Sequence, residues 1–274
     1  MHTPLCDMHM TTKIDRIRNE FPDCAFETVS FAHHALNIRL FHRAGDYIPT
    51  RVAAEKQFYE AHFLNFFSFF NSANGVVLDI GGNIGNHSVF FSAVKGWDVM
   101  AFEPVRQNAL CLAINAELNH VSDKITLLET ALGSTPGCVV LSKTITNNNG
   151  TFSRSGAQSE ESVSVPVSRL DDIPEIQACS PGLMKVDVEG MEYDVLLGAL
   201  ETLERHKPAL AFECPEPKAY QEILALVAPL GYFPIEVLNA TPTFILLNKH
   251  NEQHVQKLSE YLTMYVEARR ATEY

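Results

Sequence analysis

The sequence predicts an α/β fold built on a doubly wound, mostly parallel sheet, and three observations lead there. An apolar strand, Val76-Val77-Leu78-Asp79-Ile80, runs into the turn Gly81-Gly82-Asn83-Ile84-Gly85 and then into small and apolar residues suited to a helix. Short apolar runs and helical stripes then alternate to about residue 230, as consecutive βα units in a parallel sheet do. Residues 235–238 and 243–247 flank Asn239-Ala240-Thr241-Pro242, which reads as a C-terminal antiparallel hairpin.

Residues 1–74 read as a small N-terminal α+β extension that caps the main unit, with strands at 26–29 and 36–41 and a turn beginning at Gly45-Asp46. Phe63, Phe66, Phe67 and Phe70 follow helical spacing, interrupted by Glu60 and Asn65. That stripe predicts a helix packed on the core, with a lid, a dimer face or a membrane-surface contact as the other readings. The break at 71–75 ends the extension, and the main domain occupies 75–274. Its second strand spans 98–102, followed by a helix with the stripe Leu110, Ala113, Ile114 and Leu118, and a third strand spans 125–128. An inserted hairpin and loop occupy 138–168, with arms at 139–141 and 163–167; the polar stretch 142–162 between them is a surface loop or a substrate lid. A fourth strand spans 183–187, and Tyr193, Leu196, Leu197, Leu200 and Leu203 form one helix face. A fifth strand spans 209–213, Tyr220, Ile223, Leu224 and Val227 mark a helix stopped near Pro229-Leu230-Gly231, and Val255, Leu258, Leu262 and Tyr265 mark a terminal one. No internal repeat is evident.

Composition narrows the function classes. A hydrophobic content of 46% supplies a real core and argues against disorder. Thirty-three acidic against 21 basic residues give a net charge of −12, which leaves no footprint for nucleic acid and favours a small, neutral or cationic substrate. Cysteines at 6, 24, 111, 138, 179 and 214 form no C-x-x-C pair, consistent with reduced structural thiols in a cytoplasmic protein. No apolar run has the length of a signal peptide core or of a bilayer span, so neither secretion nor stable membrane insertion is expected. A homo-oligomer is compatible with all of this.

The glycine turn is the natural ligand site, since Gly81, Gly82 and Gly85 permit positive φ and let backbone N–H groups approach a ligand. The dinucleotide spacing G-x-G-x-x-G is not met, because Asn83 and Asn86 stand where its second and third glycines should be. The turn holds no Lys or Arg, and Asp79 stands at its entrance. A pyrophosphate wants no carboxylate nearby, whereas a donor carrying an ammonium and a sulfonium favours one, so the turn suits S-adenosylmethionine (SAM) better than NAD. Ligands of such sheets bind outside the carboxyl ends of the strands, so Asp79, Glu103, Glu129, Asp187, Glu189 and Glu213 are expected to face one crevice.

Within that crevice, Glu103, followed by Pro104, lies about 20 residues past the turn, where an acid holds ribose hydroxyls. Asn108 can assist it, and Thr130 and Ala131 are positioned for an adenine pocket. Lys185 and Asp187 fall on one side of an apolar strand, with Glu189 at the turn after it. Asp187 is the first choice of general base and Glu189 the second, with Lys185 orienting Asp187 or stabilising a developing alkoxide. Glu213 is a candidate for binding substrate hydroxyls, and His87 is a rival base or substrate contact. The acids also admit Mg²⁺, a reading ranked behind metal-free transfer.

Taken together and in order, Asp79-Ile-Gly-Gly-Asn-Ile-Gly85, Phe102-Glu103-Pro104, Ala131-Leu132-Gly133, Arg169-Leu170-Asp171 and Lys185-Val-Asp-Val-Glu-Gly-Met-Glu192 resemble the FkbM family of SAM-dependent methyltransferases. The resemblance covers roughly residues 55 to 215, and Gly82 stands where the family usually has alanine. It implies a class I, Rossmann-like methyltransferase fold and O-methylation of a small acceptor, a sugar or glycoconjugate or a natural-product hydroxyl. The segment after Asp187 is not the Asp/Asn-Pro-Pro-Tyr type of amino-methylating enzymes, which favours oxygen over nitrogen as acceptor. The competing readings are an NAD-linked oxidoreductase on a similar fold and a non-catalytic SAM-binding protein.

Overall fold

Strands that are apolar along their whole length must be covered on both faces, and this requirement shapes the molecule. A computed structural model describes residues 13–71, 75–143, 152–153 and 162–272, and the counts below refer to these residues. A helix at 13–20 (α1) leads to β1 (Phe26–His33), β2 (Leu36–Arg43), α2 (Tyr47–Glu55) and α3 (Ala61–Ser68). Then come β3 (Val76–Ile80), α4 (Asn86–Val89) continuing into a π-turn at Phe90–Val94, β4 (Val99–Phe102), α5 (Arg106–Leu118) and β5 (Ile125–Leu128). β6 (Ala131–Leu132), β7 (Gly137–Lys143), β8 (Phe152–Ser153) and β9 (Ser162–Ser168) form a separate four-stranded sheet. The order continues with α6 (Pro174–Gln177), β10 (Pro181–Val186), α7 (Glu192–Leu197), α8 (Leu200–His206) and β11 (Ala209–Glu213). It closes with α9 (Pro217–Val227), β12 (Tyr232–Leu238), β13 (Thr243–Asn248) and α10 (Glu252–Thr272).

The main sheet has seven strands in the order β12-β13-β11-β10-β3-β4-β5. Strands β11, β10, β3, β4 and β5 run parallel, and the β12–β13 hairpin pairs antiparallel along β11. From β3 the chain winds outward through β4 and β5 and then returns to the other side of β3 as β10. This reversal of winding opens a crevice beyond the ends of β3 and β10. The register there sets Asp79 beside Lys185.

One face of the sheet is covered by the N-terminal segment. Phe31, Leu40, Phe58, Phe63, Phe67 and Phe70 share one core with Val77, Phe90, Leu183 and Ala211. The aromatic stripe of α3 therefore points into the protein, with Phe63 and Phe67 stacked at 5.4 Å. No described helix is long and apolar enough to cross a membrane. Phe67 is fully buried, so Phe67→Ala is expected to lower unfolding stability by about 3–5 kcal/mol. Urea denaturation checks this, and a loss under about 1 kcal/mol would take α3 out of the core. The opposite face is covered by α7, α8 and α9 through Val195, Leu196, Leu203, Ile223 and Val227.

Two sequence expectations change. The helix face expected from Tyr193 to Leu203 is two helices, because the chain breaks at Gly198-Ala199 between α7 and α8. A Cβ on Gly198 would lie 2.1 Å from the Gly133 carbonyl oxygen, so the break brings the chain against the loop after β6. Asp171 caps the new helix start, its carboxylate accepting the N–H groups of Glu201 and Thr202 at 3.0 and 2.9 Å and the Thr202 hydroxyl at 2.7 Å. Arg169 pairs with Asp171, Asp172 and Glu201, which gives the Arg-Leu-Asp element a structural task. On α10, Val255, Leu262 and Tyr265 are exposed and Leu258 packs against the core. The loop considered as a lid falls largely on 144–151 and 154–161, outside the described residues.

Candidate functional site

A cavity of about 270 Å³ fills the crevice at the switch in winding. Gly81 lies at its floor with φ +80°, and a Cβ there would stand 1.8 Å from the Asp187 carbonyl oxygen, so only glycine fits. Asn83 takes the left-handed region (φ +47°), which asparagine tolerates; this is how it replaces a glycine.

Every N–H of this turn is engaged inside the protein. Gly81 and Gly82 both donate to the Phe102 carbonyl at 3.0 Å, and Gly85 donates to the Gly82 carbonyl at 2.8 Å. Asn83 N–H donates to Glu103 Oε2 at 2.8 Å, and Ile84 N–H to Asn83 Oδ1 at 2.7 Å. The expectation that turn amides meet the ligand is thus corrected: no free row of donors faces the cavity, as a pyrophosphate requires. The turn instead holds a carboxylate. Glu103 Oε1 accepts Val105 N–H at 2.9 Å, and the carboxylate also takes a hydrogen bond from the Asn108 side chain. Burial pushes Glu103 up to about 7, against the hydrogen bonds from Val105, Asn83 and Asn108.

At the other end of the cavity lies a charged group of residues. Lys185, 4% exposed, stands 3.3 Å from Asp79 Oδ1 and 3.4 Å from Asp187 Oδ2 and donates to the Gly81 carbonyl at 2.9 Å. Burial works against its charge, but Asp187, Asp79 and Glu60 outweigh burial and hold the ammonium above the ordinary lysine range. Burial, then the charge of Asp187 and a hydrogen bond to it, raise Glu213 far above the carboxylate range, so it keeps its proton at neutral pH. Glu189 is a solvent-exposed residue at the mouth. Desolvation by the cavity walls, then repulsion from Asp187 and Glu192, push its carboxyl up to about 7. Its backbone is held at φ +52° beside Gly190 at +99°, a strained conformation for a residue with a side chain. Glu192 anchors that turn by accepting Val188 N–H and Gly190 N–H.

Of the residues expected at the site, Gly81, Gly82, Asn83, His87, Glu103, Pro104, Asn108, Thr130, Ala131, Lys185, Asp187, Glu189 and Glu213 line the cavity. Three expected at the crevice do not. Asp79 is 0% exposed beneath the floor, with Ser88 Oγ donating to it at 2.6 Å and Lys185 as its counter-charge; the β3–β10 register turns its charge inward. Gly85 begins α4 and packs on Leu112, which a Cβ would meet at 2.9 Å. Glu129 turns outward to pair with Arg106.

Sequence reasoning missed the wall supplied by the N-terminal segment: Tyr47, Ile48, Tyr59 and Glu60 line the cavity, as does Thr241 of the β12–β13 turn. Asn86 ties that wall to the glycine turn. Its side chain accepts Tyr59 N–H and donates to the Tyr59 carbonyl, both at 3.1 Å. The only available signal was Asn86 itself, a polar residue opening a helix where glycine was expected. Among the described residues no group of three or more His, Cys, Asp or Glu stands ready to hold a metal ion.

Residues 79–234 match the family model of the methyltransferase FkbM domain. Among solved structures the chain is similar to a methyltransferase FkbM from Methylobacillus flagellatus KT, at 19% identity over 74% of this chain and 55% of that one, TM-score 0.45. It is similar to a precorrin-6y C5,15-methyltransferase from Geobacter metallireducens GS-15, at 14% identity over 70% of this chain and 90% of that one, TM-score 0.41. A protein of the NADB-Rossmann superfamily from Streptococcus agalactiae shares 12% identity over 72% of each chain, TM-score 0.47. The chain thus spans 55% of the length of the Methylobacillus protein. No curated protein matches it.

Proposed function

The chain belongs to the FkbM methyltransferase family, and on that premise we propose that it is a SAM-dependent O-methyltransferase acting on a hydroxyl of a small acceptor, a sugar or glycoconjugate or a natural product. The observation that carries the choice of donor is the glycine turn. Its amides are engaged internally, and it presents the Glu103 carboxylate to the cavity. That arrangement suits the two hydroxyls of a ribose and offers nothing to a pyrophosphate. In this reading Glu103 holds the ribose, with Asn108 beside it, Gly81, Gly82, Asn83 and Pro104 shape the floor, and Thr130 and Ala131 border the base. Bound there, SAM supplies an electrophilic methyl group on a sulfonium.

The chain's own residues then have to position an acceptor hydroxyl and take its proton. Alignment is worth up to about 7–11 kcal/mol in ideal systems, and a positioned base adds about 10²–10⁴-fold. Electrostatics supports Glu189 over Asp187 as that base, reversing the order suggested by the sequence. Asp187 already faces the Lys185 ammonium at 3.4 Å and shares a hydrogen bond with Glu213, so its carboxylate is committed within the protein. Glu189, at about 7, has the basicity that proton abstraction near neutral pH requires, and a seated acceptor would cover its open side. Asp187, Lys185 and Glu213 then form the polar wall that orients the hydroxyl, with His87 opposite. The Lys185 ammonium stands between Asp79 and Asp187 and balances their charge.

The test is a panel of sugars, glycoconjugates and natural-product alcohols incubated with methyl-labelled SAM, with and without EDTA, and read by mass spectrometry. A methyl ether formed equally with chelator present is the expected result. Transfer to nitrogen alone, or no transfer to any hydroxyl, would overturn the reading.

A further inference from the structure

The acceptor end of the cavity is more acidic than the chemistry above requires. Its walls carry Glu60, Asp187, Glu189 and Glu213, and Lys185 is the single Lys or Arg among the described lining residues. That lysine is already committed to Asp79, Asp187 and the Gly81 carbonyl. Two aromatic rings complete the wall, Tyr47 and Tyr59, edge to face at 6.0 Å. Burial and then the charge of Glu60 raise the Tyr59 phenol, and both residues line this wall of the cavity. Carboxylates beside tyrosine faces attract an organic cation, through charge and through the ring quadrupole.

A second observation points to a ligand at the same place. His87 is buried to more than nine-tenths, lines the cavity, and its Nε2 has no hydrogen-bond partner. Glu60 Oε2 lies 3.4 Å away, without hydrogen-bond alignment. A buried polar atom is rarely left unpaired, and an acceptor hydroxyl reaching Nε2 would satisfy it.

We propose that the acceptor is an alcohol that also carries an ammonium group, its hydroxyl meeting His87 and its cation held by Glu60 and the rings of Tyr47 and Tyr59. This deepens the methyltransferase reading and rests on it. The experiment loads the protein with S-adenosylhomocysteine and titrates choline and its uncharged isostere 3,3-dimethylbutan-1-ol, both followed by calorimetry. The two probes share a shape and differ in charge. Choline is expected to bind at least about tenfold more tightly. Glu60→Gln should erase that preference while S-adenosylhomocysteine affinity and melting temperature are retained. Tyr47→Leu, at an exposed position, should weaken choline more than the alcohol. Equal binding of the two probes, tighter binding of the alcohol, or no choline binding to the loaded protein would overturn the inference and leave the methyltransferase reading standing. Failure of S-adenosylhomocysteine to bind would remove that reading, and this inference with it.

Discussion

Glu189→Gln is expected to lower kcat by about 10²–10⁴-fold, the contribution of a positioned general base, while the affinity for SAM stays as in the wild type. The wild-type rate should rise with pH through about 7, where Glu189 ionises, and then level off; in the variant that rising limb should vanish. Asp187→Asn, measured in parallel, should retain the limb near 7, because it leaves the proton acceptor in place. A limb that persists in Glu189→Gln and disappears in Asp187→Asn would return the role of base to Asp187.

The same substitution has an opposite effect on stability. Glu189 has a folded-state pKa raised from the ordinary 4.5 to about 7, so the fold favours its protonated form. Its contribution is full below the unfolded value and is lost as pH rises through the folded one. The glutamine amide has no proton to lose in this range, and the Glu189→Gln variant should therefore gain on the wild type in urea titrations at pH 8 and not at pH 4. Solvent at the mouth keeps this gain small.

Lys185→Met is the second large effect, and it falls on the fold. Removing the ammonium leaves Asp79, fully buried, with the Ser88 hydroxyl as its remaining polar partner and Oδ1 with no hydrogen bond. Breaking a buried pair from one side costs about 3–5 kcal/mol, because an uncompensated charge remains. Unfolding by urea should report that loss, together with a weakened glycine turn, since Lys185 also bonds the Gly81 carbonyl. The double variant Asp79→Asn, Lys185→Met leaves no buried charge unpaired between these two positions and should recover much of the stability. A double variant as unstable as the sum of the two singles would show that the pair is not coupled.

Features written in consecutive residues could be read from the sequence. The strand into the glycine turn, the acid closing the next strand and the Lys-x-Asp-x-Glu segment all carry their pattern within a few positions, and each reached the cavity as expected. The strand-helix alternation likewise pointed to the parallel winding, and the hairpin about Asn239-Ala240-Thr241-Pro242 to the antiparallel edge. Pairings across the chain were not legible. Asp79 looked like a ligand contact because its neighbour in the sheet, Lys185, lies more than a hundred residues away and reaches it only through the β3–β10 register. Tyr59 and Glu60 looked like the approach to an aromatic core helix. Their place in the cavity depends on the Asn86 clamp to the Tyr59 backbone, 27 residues on, and no periodicity announces such a contact. The break between α7 and α8 was hidden for a similar reason: Gly198 interrupts a good helical stripe because Gly133, on another element, occupies the space.

The central claim is that this cavity receives SAM, gripped at its ribose by Glu103. Calorimetric titration of SAM and of NAD into the wild type and into Glu103→Ala tests it most directly. SAM is expected to bind the wild type and NAD to give no heat, with SAM affinity falling about 10- to 100-fold in the variant, as the loss of hydrogen bonds to a charged group implies. NAD binding as tightly as SAM, or a SAM dissociation constant unchanged by Glu103→Ala, would contradict it.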